Sequence, residues 1–132
     1  MQPPHSAQEY FGRQVERLRR QLKKKRIVFP EGEDPRVIAA ASRLCQEELA
    51  IPILMGRPKG QIASCVVVEQ PETNPKLNEY ARILQDRRRS RGITESEARK
   101  MALDPLVFAG LAVSCGDADG FVGGAATTTA DT

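Results

Sequence analysis

Tryptophan is missing from this sequence, histidine occurs once, and aromatic residues make up only 5% of it. A core built from such a chain must rest on Val, Ile, Leu and Ala. The one imidazole, His5, falls in a polar stretch with two prolines, residues 1–6, which reads as a loose tail. His-based acid–base catalysis and a Cys–His nucleophile pair are therefore set aside. No apolar run approaches the roughly 20 residues of a membrane-spanning helix, and residues 1–9 lack the apolar core of a secretory signal. Cysteine is scarce and scattered, at Cys45, Cys65 and Cys115, with no C-x-x-C. The odd number predicts reduced, mostly buried thiols, not a disulfide framework or a zinc site. Together these absences predict a cytoplasmic protein with no membrane partner and no metal.

What is present is ordinary globular composition: 40% hydrophobic and 28% charged residues over 132 positions, enough for one small domain. The net charge of +3 is too small to imply a nucleic-acid partner, and no RRM, KH or helix-turn-helix signature occurs. The positive charge is nevertheless gathered, at Lys23, Lys24, Lys25 and Arg26, and at Arg87, Arg88, Arg89 and Arg91. Each cluster reads as a solvated face or as an anion site.

Apolar residues at Phe11, Val15, Leu18 and Leu22 predict an amphipathic helix over residues 7–24, with basic residues in its last turns. Residues 26–29 form a short β-prone run that Pro30 stops. Asp34 suits a helix N-cap and Pro35 the first helical position. The helix they open runs through residues 35–48 with Val37, Ile38, Ala41, Leu44 and Cys45 along one face. An apolar run at 51–55 reads as a strand buried on both faces. Strand, helix and strand within about thirty residues make a βαβ unit with parallel strands. A third strand is predicted at 65–68 and a helix from Asn74-Pro75 to about Ser90. Thr94 and Glu97 fit a capping box. A helix follows Asp104-Pro105, and a last strand lies at 120–122.

Three stretches invite a chemical reading. The last, Gly123-Gly124-Ala125-Ala126-Thr127-Thr128-Thr129-Ala130-Asp131-Thr132, follows a strand, so it belongs at the carboxyl edge of a parallel sheet, where open α/β folds bind ligands. Adjacent glycines allow close backbone approach, and backbone N–H groups with threonine hydroxyls suit a phosphate. The same composition also reads as a plain flexible turn. It matches neither G-x-G-x-x-G nor the P-loop. The arginine cluster around Arg88 can bind phosphate through paired hydrogen bonds or simply complement a helix dipole. In Pro30-Glu31-Gly32-Glu33-Asp34, capping accounts for Asp34 but less well for Glu31, three residues earlier.

Taken in order, three motifs resemble the phosphate acetyltransferase and butyryltransferase family. They are Arg26-Ile27-Val28-Phe29-Pro30-Glu31-Gly32-Glu33-Asp34-Pro35-Arg36, then Arg88-Arg89-Ser90-Arg91-Gly92-Ile93-Thr94 with Ala98, then Asp117-Ala118-Asp119-Gly120-Phe121-Val122-Gly123-Gly124-Ala125 continuing to Asp131-Thr132. The resemblance covers nearly all of the chain after Lys25. It implies a three-layer α/β/α sandwich with a parallel sheet, similar to the isocitrate/isopropylmalate dehydrogenase fold and incomplete here. Residues 1–25 would be a tail and helix, and 26–132 the N-terminal part of the acyltransferase-like domain, cut at its active-site loop.

The resemblance further implies transfer of a short acyl group, acetyl in the first instance, between CoA and inorganic phosphate in a ternary complex. CoA, acetyl phosphate and phosphate would be partners, acetyl-CoA a substrate, and no cofactor would be tightly bound. The chain would belong to a homo-oligomer. Substrate-binding positions are Glu31, from its place in the acidic loop after the first strand, and, carried over by the resemblance, Arg88, Gly124, Ala125, Thr128, Thr129, Asp131 and Thr132. The family's catalytic serine, arginine and aspartate lie further along its longer chains, so none is expected in this segment, which reads as an inactive N-terminal fragment. Two departures stand out. The family often has Ser where this chain has Gly123, and His where it has Thr127. They keep a second possibility open, a non-catalytic acyl-CoA-sensing or assembly domain like that fused to malic enzymes.

Overall fold

The computed structural model describes residues 5–123. Four strands, β1 (Arg26–Phe29), β2 (Ile51–Met55), β3 (Val67–Glu69) and β4 (Gly120–Phe121), form one parallel sheet in the order β3-β2-β1-β4. The chain thus adds strands on one side of β1, then returns to the other side of β1 with β4. Crossovers of one hand running in opposite directions place their helices on opposite faces. Helix α2 (Pro35–Gln46) joins β1 to β2, while α3 (Leu77–Arg87), α4 (Glu95–Ala102) and α5 (Pro105–Ser114) lie between β3 and β4.

The cores follow from the period-2 alternation of strand side chains. Val28, Ile53 and Met55 point to one face, into a cluster with Leu77, Tyr80, Leu84, Phe108 and Leu111. Phe29 and Leu54 point to the other, against Val37, Ile38 and Ala41 of α2. The fold is therefore α/β with helices on both sides of a parallel sheet.

Element boundaries shift from the sequence reading for identifiable reasons. Helix α1 (His5–Arg20) takes in part of the expected tail and stops short of Lys24. The Lys24 ammonium instead donates to the carbonyls of Leu18 (3.0 Å) and Arg19 (2.7 Å), closing the helix end. The predicted apolar face of α1 lies open, with Phe11 and Leu22 exposed. Helix α2 ends two residues early in a Schellman turn. Glu48 adopts a left-handed conformation (φ 59°), its N–H donates to Cys45 O, and the Leu49 N–H donates to Leu44 O. Strand β3 starts two residues late, after a turn in which Val66 N–H donates to Ala63 O. Helix α3 is trimmed at both ends: the Asn74 side chain accepts from Lys76 N–H, and a 3-10 turn at Arg89–Arg91 leads to left-handed Gly92. The capping box forms in altered shape. Glu97 N–H donates to the Thr94 hydroxyl (3.1 Å), and the Thr94 hydroxyl in turn meets the Glu97 carboxylate.

One expectation fails outright. Cys45 and Cys65 are joined in a disulfide, and Cys115 alone is a free thiol. The βαβ connection brings the end of α2 beside the segment entering β3, with Cα atoms 6.0 Å apart, which cysteine spacing along the chain does not show. Among the described residues no helix is long and apolar enough to cross a membrane, and no cluster of His, Cys, Asp and Glu is arranged to hold a metal ion.

Candidate functional site

The sheet has one place where strand order reverses, between β1 and β4, and a crevice opens near it, over the carboxyl ends of β1 and β2. Pro30 stops β1, and Glu31 and Gly32 turn the chain. The Asp34 carboxylate, accepting from Arg36 N–H at 2.8 Å, starts α2. Val122 N–H donates to Val28 O (2.9 Å), which carries the chain out of β4 to Gly123 beside the same turn. A Cβ placed on Gly123 would lie 3.6 Å from the Glu31 carboxylate and 3.7 Å from the Leu106 side chain. The crevice measures about 630 Å³, within the range of small-ligand sites. Pro30, Glu31, Glu33, Asp34, Pro35 and Arg36 line it, together with Met55, Gly56 and Pro105.

Two contacts fix the acidic turn. Gly32 is seated so tightly against the end of β2 that any Cβ there would overlap the backbone of Met55. Glu33 then reaches across and accepts from Arg57 N–H at 2.8 Å. Its side chain also lies over Gly56, which has a positive φ of 102°. A glycine is required at both places, in the first by space and in the second by backbone conformation.

Arg36 is the one cation of this lining. Its guanidinium pairs with Asp34 at 2.8 Å. Hydrogen bonding to Arg36 holds the Asp34 carboxyl below its ordinary value, and Asp34 with Glu31 raises the affinity of the guanidinium for its proton. Three carboxylates against one guanidinium leave the described wall acidic. An anionic ligand would need further donors, and the glycine-threonine stretch that follows Gly123 in sequence is rich in them.

Of the positions singled out in the sequence, Glu31 lies in this crevice, half-buried, and Gly123 stands beside Glu31 without lining it. Arg88 does not line it. It stands half-buried at the C-terminal end of α3, where its N–H donates to Leu84 O, and no described carboxylate lies within ion-pair distance of it. Gly124, Ala125, Thr127, Thr128, Thr129, Asp131 and Thr132 lie outside the described residues. Sequence reasoning placed Glu33 in the acidic stretch and Pro105 at a helix start, and assigned no binding role to Arg36 or Pro105. Arg36 had a signal, its place one helical position beyond a capped proline. Pro105 had none, because only the long return to β4 brings the start of α5 here.

A second cavity of about 310 Å³ lies between the sheet and helices α3 and α5. Two pairs of its polar side chains are bonded to each other. The Tyr80 hydroxyl donates to Asp117 at 2.5 Å, and Asn74 donates to Glu69 at 3.1 Å. Burial, and then the bond to Asp117, push the Tyr80 hydroxyl to a higher pKa and keep it protonated. The pair ties α3 to the turn before β4 and offers no group to a ligand.

The fold agrees with the comparisons to known proteins. Residues 11–132 match the family described as phosphate acetyl/butaryl transferase. The chain is 44% identical over 106 residues to a phosphate acetyltransferase of Paracoccus denitrificans, a match covering 80% of this chain and 32% of that protein. It is 39% identical over 116 residues to one of Acetivibrio thermocellus, covering 82% of this chain and 35% of that protein. A phosphotransacetylase from Streptococcus pyogenes superposes with a TM-score of 0.80 at 31% identity, over 95% of this chain and 40% of that one. The chain thus spans between about a sixth and a third of the length of the curated relatives it matches.

Proposed function

Because the chain belongs to the phosphate acetyl/butaryl transferase family, we propose that the protein it contributes to moves a short acyl group, acetyl in the first instance, between CoA and inorganic phosphate. The observation that carries this reading is the meeting of the Pro30–Arg36 turn and Gly123 at the one reversal of strand order. In the direction of acetyl-CoA formation, a carboxylate takes the thiol proton and the CoA sulfur attacks the carbonyl carbon of acetyl phosphate. The carbon–oxygen bond to phosphate then breaks and phosphate departs with its electron pair. Glu31 and Arg36 border the space for the acyl phosphate. Gly124, Ala125, Thr128, Thr129, Asp131 and Thr132 supply N–H and hydroxyl donors to it, and Arg88 takes a phosphate of CoA. CoA and phosphate are substrates, with no tightly held cofactor, in a cytoplasmic homo-oligomer.

No catalytic residue is assigned within this segment, so the isolated 132-residue chain has no turnover under this reading. The test is CoA-dependent release of phosphate from acetyl, propionyl and butyryl phosphates by the full-length protein. Release from none of them sinks the proposal, and turnover by the isolated segment sinks its second part. The glycine at 123 and threonine at 127 favour one other reading, a domain that binds acyl-CoA without catalysis. Saturable acetyl-CoA binding by a full-length protein that never releases phosphate would establish it.

A further inference from the structure

We propose that Cys45 and Cys65 are a reversible thiol–disulfide pair, a redox modification site that fastens the end of α2 to the segment entering the edge strand β3. The Cα atoms stand 6.0 Å apart, inside the roughly 4.4–6.8 Å that a disulfide spans. Cys65 is exposed and Cys45 half-buried, so one sulfur is open to a small reagent and the other waits beside it. Cys115 cannot compete. It packs with the α3–α5 cluster on the opposite face of the sheet, whereas Cys45 packs with the α2 cluster.

The pair sits where the fold is otherwise thinly held. Strand β3 has three residues and pairs on one side only, with β2. Residues 56–66, which feed it, contain no helix or strand. Ile62, Ala63 and Val66 lay this segment against the α2 cluster, and the disulfide is the covalent link between the two. The crosslink closes a loop of sequence separation 20 that contains all of β2, and such closure restricts the unfolded chain.

The chemistry balances with a low-molecular-weight disulfide as oxidant. The Cys65 thiolate attacks one of its sulfurs, forming a mixed disulfide and expelling one small thiolate. The Cys45 thiolate then attacks Cys65 Sγ, forming the protein disulfide and expelling the second. The two protons lost by the cysteines end on the two released thiols. Two cysteines are oxidised and one small disulfide is reduced.

The experiment uses the full-length protein equilibrated with oxidised glutathione or with dithiothreitol. Free thiols are then alkylated under denaturing conditions, followed by tryptic mapping and thermal unfolding. Cleavage after Arg43 and Lys59 places the two cysteines on separate peptides. The expected result is a Cys45–Cys65 linked peptide in oxidised glutathione only, reversed by dithiothreitol, with the unfolding midpoint higher by about 10 °C in the linked form. Cys65→Ser should show the reduced midpoint in both buffers. A glutathione adduct left standing on Cys65, a link through Cys115, or a link that leaves the midpoint unmoved overturns the proposal. If Cys65→Ser does not fold, the dithiothreitol arm of the unaltered protein supplies the reduced reference.

Discussion

On one face of the sheet, Val28, Ile53 and Met55 disappear beneath three helices, and Tyr80 meets Phe108 edge-on at 4.9 Å. On the other, Phe29 and Leu54 meet a single helix and the irregular segment before β3. The first face is held by buried area. The second has a smaller cluster and adds specific ties: an Asp34 cap, a Schellman turn at Glu48, the Glu33–Arg57 hydrogen bond and a disulfide. The helix of that second face is also the one whose first turn brings Asp34 and Arg36 to the crevice. A site assembled on a thinly packed element leans on local ties to hold its shape, while on the thickly packed face ties such as Tyr80 to Asp117 add to a larger buried cluster.

That contrast can be broken. Phe108→Ala should cost about 3–5 kcal/mol of unfolding free energy in denaturant titrations, and Ile38→Ala about 2 kcal/mol, the lower end for such truncations. Equal losses would mean that the two faces are equally packed. Arg88→Ala in the full-length protein should weaken CoA or phosphate binding by roughly 1.5–3 kcal/mol, the range for a charge-assisted hydrogen bond. An unchanged KM for both substrates would make Arg88 a helix-end charge on the structural face. Gly32→Ala should cost about 1–3 kcal/mol through the clash with Met55. It should also raise hydrogen exchange across residues 31–36 more than across α5, and a uniform rise would remove the idea that this contact fixes the turn locally.

The smallest effect is acidic. Because the Asp34 carboxyl lies below its ordinary 3.8 in the folded protein, its contribution is complete above that value. It fades as pH falls below 3.8 and is gone once the folded carboxyl takes up a proton. The difference in unfolding midpoint between the protein and Asp34→Asn should therefore be constant near neutrality and shrink below pH 4 or so. A difference that grew in acid would contradict the Arg36 pairing.

Much of this was legible in the chain. Strands β1 and β2, the capped starts of α2, α4 and α5, and the parallel βαβ unit all follow from local signals: Asp34-Pro35, Thr94 with Glu97, Asp104-Pro105, and short apolar runs. What stayed hidden is what depends on residues far apart in sequence. The disulfide needs the end of α2 beside the entry to β3. The crevice needs Pro105 brought beside Glu31 by the return through α3–α5. The exposed face of α1 shows the converse, since periodicity reports that a face is apolar without reporting what covers it.

The seating of Gly32 against Met55 also bears on how this turn could be re-engineered. In a library randomised across positions 30–36, variants at Gly32 would be depleted first for loss of stability, whatever ligand is offered. Substitutions at Glu31 and Arg36 would report on selectivity, because both side chains line the crevice. Diversity should therefore be concentrated at those two positions.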